Sequence, residues 1–118
     1  MISMREAYEK IGANYDDACA RPMGEEMLAR FALKFLDDES MDKLEAAMAA
    51  GDAEGAFMAV HTLKGVSQNL GFDNLYEPAV VVTDALCGAD AVDGAREGMH
   101  ALQQQYAATM SALREAAE

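Results

Sequence analysis

Residues 55–72 read GAFMAVHTLKGVSQNLGF. Set on a wheel of about 100° per residue, Ala56, Ala59, Val60, Leu63, Val66 and Leu70 gather on one side and His61 falls on the other. That period identifies an amphipathic helix. Asp52 just ahead of it is a suitable N-cap, and Gly71 supplies a left-handed C-terminal stop, so the helix should run from about Asp52 to Leu70. A helix that is apolar on one side only needs partners to cover that side.

Working outward, the flanking segments carry the same kind of pattern. Upstream, Leu28, Phe31, Ala32 and Phe35 recur at i, i+3, i+4 and i+7 between Glu25 and Asp37, with Met27 and Leu36 at the edges of the stripe. Ser40 is a plausible N-cap for a further helix in which Met41, Leu44 and Met48 form the stripe and Gly51 the stop. Earlier still, Tyr8, Ile11 and Tyr15 predict one helix from Ser3 to Ala20, weakened by Gly12 and ended by Arg21-Pro22. Downstream, Asp73 or Asn74 can cap the next element. The run Val80-Val81-Val82 has strand propensity, but Pro78 suits a first helical turn, and Leu75, Ala79, Val82 and Leu86 keep helical spacing. Finally Val92, Ala95, Met99, Leu102, Tyr106, Met110 and Leu113 alternate by three and four, the seam of the longest helix. Short connections favour antiparallel neighbours. The expected fold is all-α: an up-and-down antiparallel four-helix bundle with an additional N-terminal helix or helices, forming a single domain over residues 1–118.

Composition narrows the function. The chain has 21 acidic and 9 basic residues, a formal net charge of -12, and such a surface repels nucleic-acid phosphates and anionic lipid headgroups. No apolar run approaches the roughly 20 residues of a membrane-spanning helix, so no membrane insertion is expected. The first residues lack a secretory signal, and Cys19 and Cys87 read as buried free thiols rather than a disulfide, which together point to the cytoplasm. A metal site is not expected either, since His61 and His100 are far apart and no pair of Glu-x-x-His motifs occurs. His100 reads as a partly exposed helix residue.

His61 has an unusual setting. Phe57, Met58, Lys64, Gly65 and Gln68 share its side of the helix, and residues 55–72 contain no Asp or Glu, where the average for this chain would place about three. A glycine in a helix interior costs about 1 kcal/mol relative to alanine. Gly65, at i+4, leaves bare backbone beside the imidazole, so another molecule can approach in line. Lys64, one turn on, is placed to stabilise phosphoryl oxygens. Imidazole, with an ordinary pKa of about 6.5, is largely a neutral nucleophile at cellular pH. No carboxylate stands at i-4, i-3, i+3 or i+4, so the chemistry must be completed by a partner. Phe57, Met58 and Gln68 are candidates for the surface on which that partner docks, although Phe57 and Met58 are equally readable as packing residues.

The stretch His61-Thr62-Leu63-Lys64-Gly65-Val66-Ser67-Gln68-Asn69-Leu70-Gly71 resembles the signature of histidine-containing phosphotransfer (HPt) domains of two-component phosphorelays. Gln68 and Asn69 stand where the family often has small residues. The resemblance implies that His61 is the phosphorylated residue, that Lys64 and Gly65 assist it, and that the partners are response-regulator receiver domains together with a histidine kinase or hybrid kinase. It further implies a phosphoryl carrier without kinase activity of its own, with no bound cofactor and with Mg2+ held by the receiver. The alternative is a non-phosphorylated helical adaptor that binds and inhibits a receiver or kinase. Such an adaptor would have no use for an exposed histidine beside a glycine.

Overall fold

A computed structural model of the chain describes residues 1–117. Where apolar residues recur every three or four positions, the backbone is helical: α1 (Met4–Lys10), α2 (Tyr15–Cys19), α3 (Gly24–Lys34), α4 (Ser40–Ala50), α5 (Ala53–Leu70), α6 (Asp73–Leu86) and α7 (Arg96–Ala117). Short 3-10 turns at Phe35–Asp37 and Asp93–Ala95 lead out of α3 and into α7. There is no strand among the described residues.

The bundle is made by α4 to α7. Gly51-Asp52 and Gly71-Phe72 are the whole of the connections on either side of α5, too short for anything but a reversal of direction, so α4, α5 and α6 run antiparallel. The backbone at Gly51 and Gly71 is left-handed, as their positions after the last apolar residue required. Each helix packs on the next in sequence. A hydrogen bond from Gln103 Nε2 to Glu45 Oε2 (2.9 Å) ties α7 back to α4. Between them lie Met41, Leu44, Val60, Leu63, Leu75, Val82, Leu102 and Leu113, all buried, each contributing roughly 1.5–3 kcal/mol of transfer free energy.

The N-terminal elements close one end. Tyr8 and Ile11 of the first segment are buried as their spacing predicted, but one continuous helix over 3–20 does not form. The backbone turns left-handed at Gly12 (φ 73°), where an L side chain would be strained, and the Asn14 side chain caps a fresh helix by accepting from the Asp17 N–H. The break lets Tyr15 fold back on Tyr8, ring centroids 5.2 Å apart. Aromatic contacts continue from Tyr8 to Phe72 (5.3 Å), Phe72 to Phe35 (5.4 Å) and Phe35 to Tyr106 (5.9 Å), joining α1, the start of α6, the 3-10 turn after α3, and α7.

Other local expectations are corrected. Ser40 is the first residue of α4 rather than its cap: the N-cap position falls on Glu39, which makes no side-chain cap bond, and the carboxylate of Asp38 accepts from the Ser40 N–H (2.9 Å) and hydroxyl (3.2 Å). Neither Asp73 nor Asn74 caps α6, whose N-cap is the buried Phe72. Asn74 instead donates across to Gln105 Oε1 and Thr109 Oγ1 on α7, both at 3.0 Å. Pro78 lies in the second turn of α6, where it denies the Asn74 carbonyl its usual i+4 donor. The cysteines are free, as expected, but not buried: Cys19 is half-buried and Cys87 exposed. In α3, Leu28 and Ala32 are covered while Phe31 is 40% exposed and Met27 47% exposed, so the predicted stripe is wider than the face the bundle covers.

Candidate functional site

The length and cap of α5 follow from its sequence. Asp52 Oδ1 accepts from the Gly55 N–H (2.9 Å), and a Cβ on Gly55 would collide with that carboxylate, so this glycine serves the cap. Beyond it Ala53, Ala56, Ala59, Val60, Leu63, Ser67 and Leu70 are buried. Val66, placed with the core side by the wheel, is half-buried because α3 covers it only in part. Ser67 is fully buried, and its hydroxyl has no hydrogen-bond partner among the described residues.

His61 lies on the opposite, open side and is exposed. Phe57, one turn before it, sets its ring against the imidazole with centroids 5.8 Å apart and planes tilted by 37°. Phe57 and Lys64 are half-buried, Gln68 is exposed, and Met58 is 62% exposed. A Cβ added to Gly65 would meet no heavy atom within 4 Å. The glycine is therefore not demanded by packing in this chain, and the space beside the imidazole is open to solvent. Thr62, the adjoining hydroxyl, donates to the Met58 carbonyl (3.1 Å) and so is engaged with its own helix. The side chains brought together on this face are thus those singled out from the sequence: His61, Phe57, Met58, Lys64, Gly65 and Gln68. No three His, Cys, Asp or Glu side chains among the described residues are grouped so as to hold a metal ion.

Two further residues act on α5 from a distance no sequence pattern spans. The last carbonyls of a helix lack internal donors. The Tyr8 hydroxyl donates to the Leu70 carbonyl (2.6 Å), and Arg21 Nη1 donates to the Gln68 carbonyl. Arg21 also sets a cation at the negative end of the helix dipole. Burial, and to a lesser degree the neighbouring Tyr15, pushes the Tyr8 phenol above its ordinary pKa. Ala18 packs on Gly71, where a Cβ would lie only 2.7 Å from the alanine methyl. The spacing of Tyr8, Ile11 and Tyr15 signalled that the N-terminal segment is buried but not what it covers.

Fold and site together define an antiparallel helical bundle displaying an open imidazole at the middle of one helix. A family model described as "Hpt domain" matches residues 26–116. The chain belongs to the Hpt domain family, whose members carry out histidine phosphotransfer with receiver domains and kinases of two-component phosphorelays. No curated protein and no solved structure matches the chain. No helix among the described residues is long and apolar enough to cross a membrane.

Proposed function

We propose that His61 takes a phosphoryl group from the aspartyl phosphate of a receiver domain and passes one on to such an aspartate, making the chain a cytoplasmic phosphorelay intermediate. The observation that carries this reading is the exposed imidazole beside an empty Gly65 position on an acid-free helix face. A ring nitrogen bearing a lone pair attacks phosphorus. The N–P bond forms as the acyl P–O bond breaks, and the aspartate carboxylate leaves with that electron pair, while the other ring nitrogen keeps its proton. The reverse sequence discharges the histidine.

Each neighbour has a part in this reading. Lys64 sits one turn from His61 on a helix with no carboxylate from 55 to 72, so its ammonium is placed to favour negative charge on the phosphoryl oxygens. Gly65 leaves the line of approach clear. Phe57 restricts the imidazole on the other side, and Met58 and Gln68 meet the partner. A divalent cation screening those oxygens belongs to the receiver's own acidic pocket, since residues 55–72 offer no carboxylate to hold one. With no carboxylate within a turn of His61 to act as general base, the chain is a carrier and the partner supplies the remaining groups.

The test is to incubate the protein with a phosphorylated receiver and examine the label. An acid-labile, base-stable label that is lost in His61→Gln is expected. A label on wild type that persists in His61→Gln would overturn the assignment, and binding to the receiver without any label would favour the adaptor.

A further inference from the structure

A nucleophile's imidazole partner is ordinarily oriented by a third group, commonly a carboxylate on its other nitrogen. On its own helix His61 has no carboxylate within a turn. What it does have is Phe57, whose ring lies 5.8 Å from the imidazole, centroid to centroid, with the planes tilted by 37°. The helix explains the meeting. A long side chain in an α-helix leans back toward the N-terminus, over the residues three and four positions earlier, in either of two common χ1 rotamers. For His61 those residues are Met58 and Phe57, about 60° and 40° round the helix on opposite sides of it. The imidazole rests on Phe57. These two possible seats differ in firmness. Met58 is 62% exposed, and its thioether chain turns about three bonds. Phe57 is half-buried and packed against the core, with the buried Ala53 and Val60 one turn before and after it. On its other side the imidazole is bare. A side chain at position 65 would lean over His61 as His61 leans over Phe57, but that residue is glycine, and a Cβ there would meet nothing within 4 Å. His100 has neither feature, with Arg96 four residues before it and Gln104 four after.

We propose that Phe57 is a positioning residue: its ring seats the His61 imidazole in one of the arrangements open to it and so presents the attacking nitrogen to the side left clear by Gly65. The inference rests on the reading of His61 as phosphoacceptor and adds what orients the ring where no carboxylate does. The size of the effect follows from the choices removed. A histidine on an exposed helix face has two common χ1 rotamers and two ring orientations about χ2, about four arrangements in all. Holding one of them ready for in-line attack is worth up to about fourfold in rate. That gain needs no docked partner, which separates Phe57 from a residue that only touches the receiver.

The experiment compares Phe57→Leu, which keeps apolar bulk without a flat ring, with Phe57→Tyr, which keeps the ring. Each is measured three ways: three-bond couplings across χ1 of His61 by NMR, labelling by phosphoramidate, and single-turnover transfer from an aspartate-phosphorylated receiver over a range of its concentrations. Phosphoramidate is a small donor that releases ammonia and needs no docking surface. Phe57→Leu should average the His61 couplings, which in wild type are those of one rotamer, and slow both phosphoramidate labelling and the limiting transfer rate about threefold. The half-saturating receiver concentration should stay within about twofold of wild type, with unchanged helical circular dichroism. Phe57→Tyr should match wild type in every readout. A rise in half-saturation in Phe57→Leu, with couplings and phosphoramidate labelling unchanged, would make Phe57 a docking residue and overturn the inference. Wild-type behaviour of Phe57→Leu throughout would make it a packing residue and overturn the inference too, as would a defect in Phe57→Tyr as large as that in Phe57→Leu. If wild type takes label from neither donor, it is the phosphoacceptor reading that fails, while the couplings still decide whether Phe57 seats the ring.

Discussion

His61 and His100 are both exposed helix residues, and everything that separates them lies in what surrounds each ring. On α5, the turn before His61 holds Phe57 and Met58, and the turn after holds Lys64 and Gly65, with no carboxylate over eighteen residues. On α7, His100 follows Arg96 and Glu97 and precedes Gln103 and Gln104, so a side chain occupies the i+4 position that is bare beside His61. His100 lines a cleft between α4 and α7 with Glu45 and Arg96, the latter already held by Asp93 at 3.2 Å. A phosphoryl dianion arriving there would meet Glu45 and Glu97. An imidazole on a surface is common, and the absence of acids together with room at i+4 is what the proposed reading uses to choose between these two.

The largest expected effect comes from exchanging the two rings. His61→Gln should remove phosphoryl acceptance completely, and His100→Gln should leave it within about twofold of wild type, with unchanged helical circular dichroism in both. Labelling of the His61 variant through His100 would break the comparison. Next is Lys64→Ala, for which a loss of ten- to a hundredfold in transfer rate is expected, since a charge-assisted contact of about 1.5–3 kcal/mol is removed from a partly solvated position. The defect should shrink as salt rises. An unchanged rate at low salt would reduce Lys64 to a bystander.

Gly65→Leu sharpens the comparison by filling the one space that His100 lacks. The substitution exchanges a poor helix former for a good one, worth up to about 0.8 kcal/mol, where a Cβ meets nothing within 4 Å. Thermal stability should hold or rise by a few degrees while transfer slows several-fold, so stability and rate move apart. Transfer at the wild-type rate would remove the clearance argument.

The smallest effect on transfer is expected at the end of α5. Tyr8→Phe removes the donor to the Leu70 carbonyl and should cost about 1–2 kcal/mol in urea unfolding, leaving the transfer rate within about twofold. The Tyr8 pKa is raised in the folded protein, so its contribution to stability is intact below the ordinary tyrosine pKa of about 10 and declines as pH climbs beyond it. Stability measured from pH 8 to 11 should accordingly fall more steeply in wild type than in Tyr8→Phe. Parallel curves would mean that this phenol does not govern the alkaline loss.

Much of the fold was legible because helix periodicity is a local property. Leu75, Ala79, Val82 and Leu86 proved buried where their spacing put them, and the β-branched run at Val80 did not make a strand, since packing of the whole face outweighs a few tenths of a kcal/mol of propensity. Errors fell at boundaries and at the edges of stripes. Gly12 split a predicted helix because tertiary contact between Tyr8 and Tyr15 rewards a reversal that neither residue announces. Phe31 was placed in the core by its spacing and lies at the lip of a groove, because the width of a buried face depends on the neighbour that covers it.

By itself the sequence determined that α5 is a helix, that His61 faces away from its apolar side, and that no acid accompanies it; these follow from a repeat of about 3.6 residues and from composition. Only the tertiary structure decided which side chains complete that helix. Tyr8 reaches Leu70 across 62 positions and Arg21 reaches Gln68 across 47. Nothing in a stretch of sequence encodes such a meeting, because it depends on how the turns between the intervening helices and the packing of aromatic rings bring a side chain within hydrogen-bond reach of distant backbone.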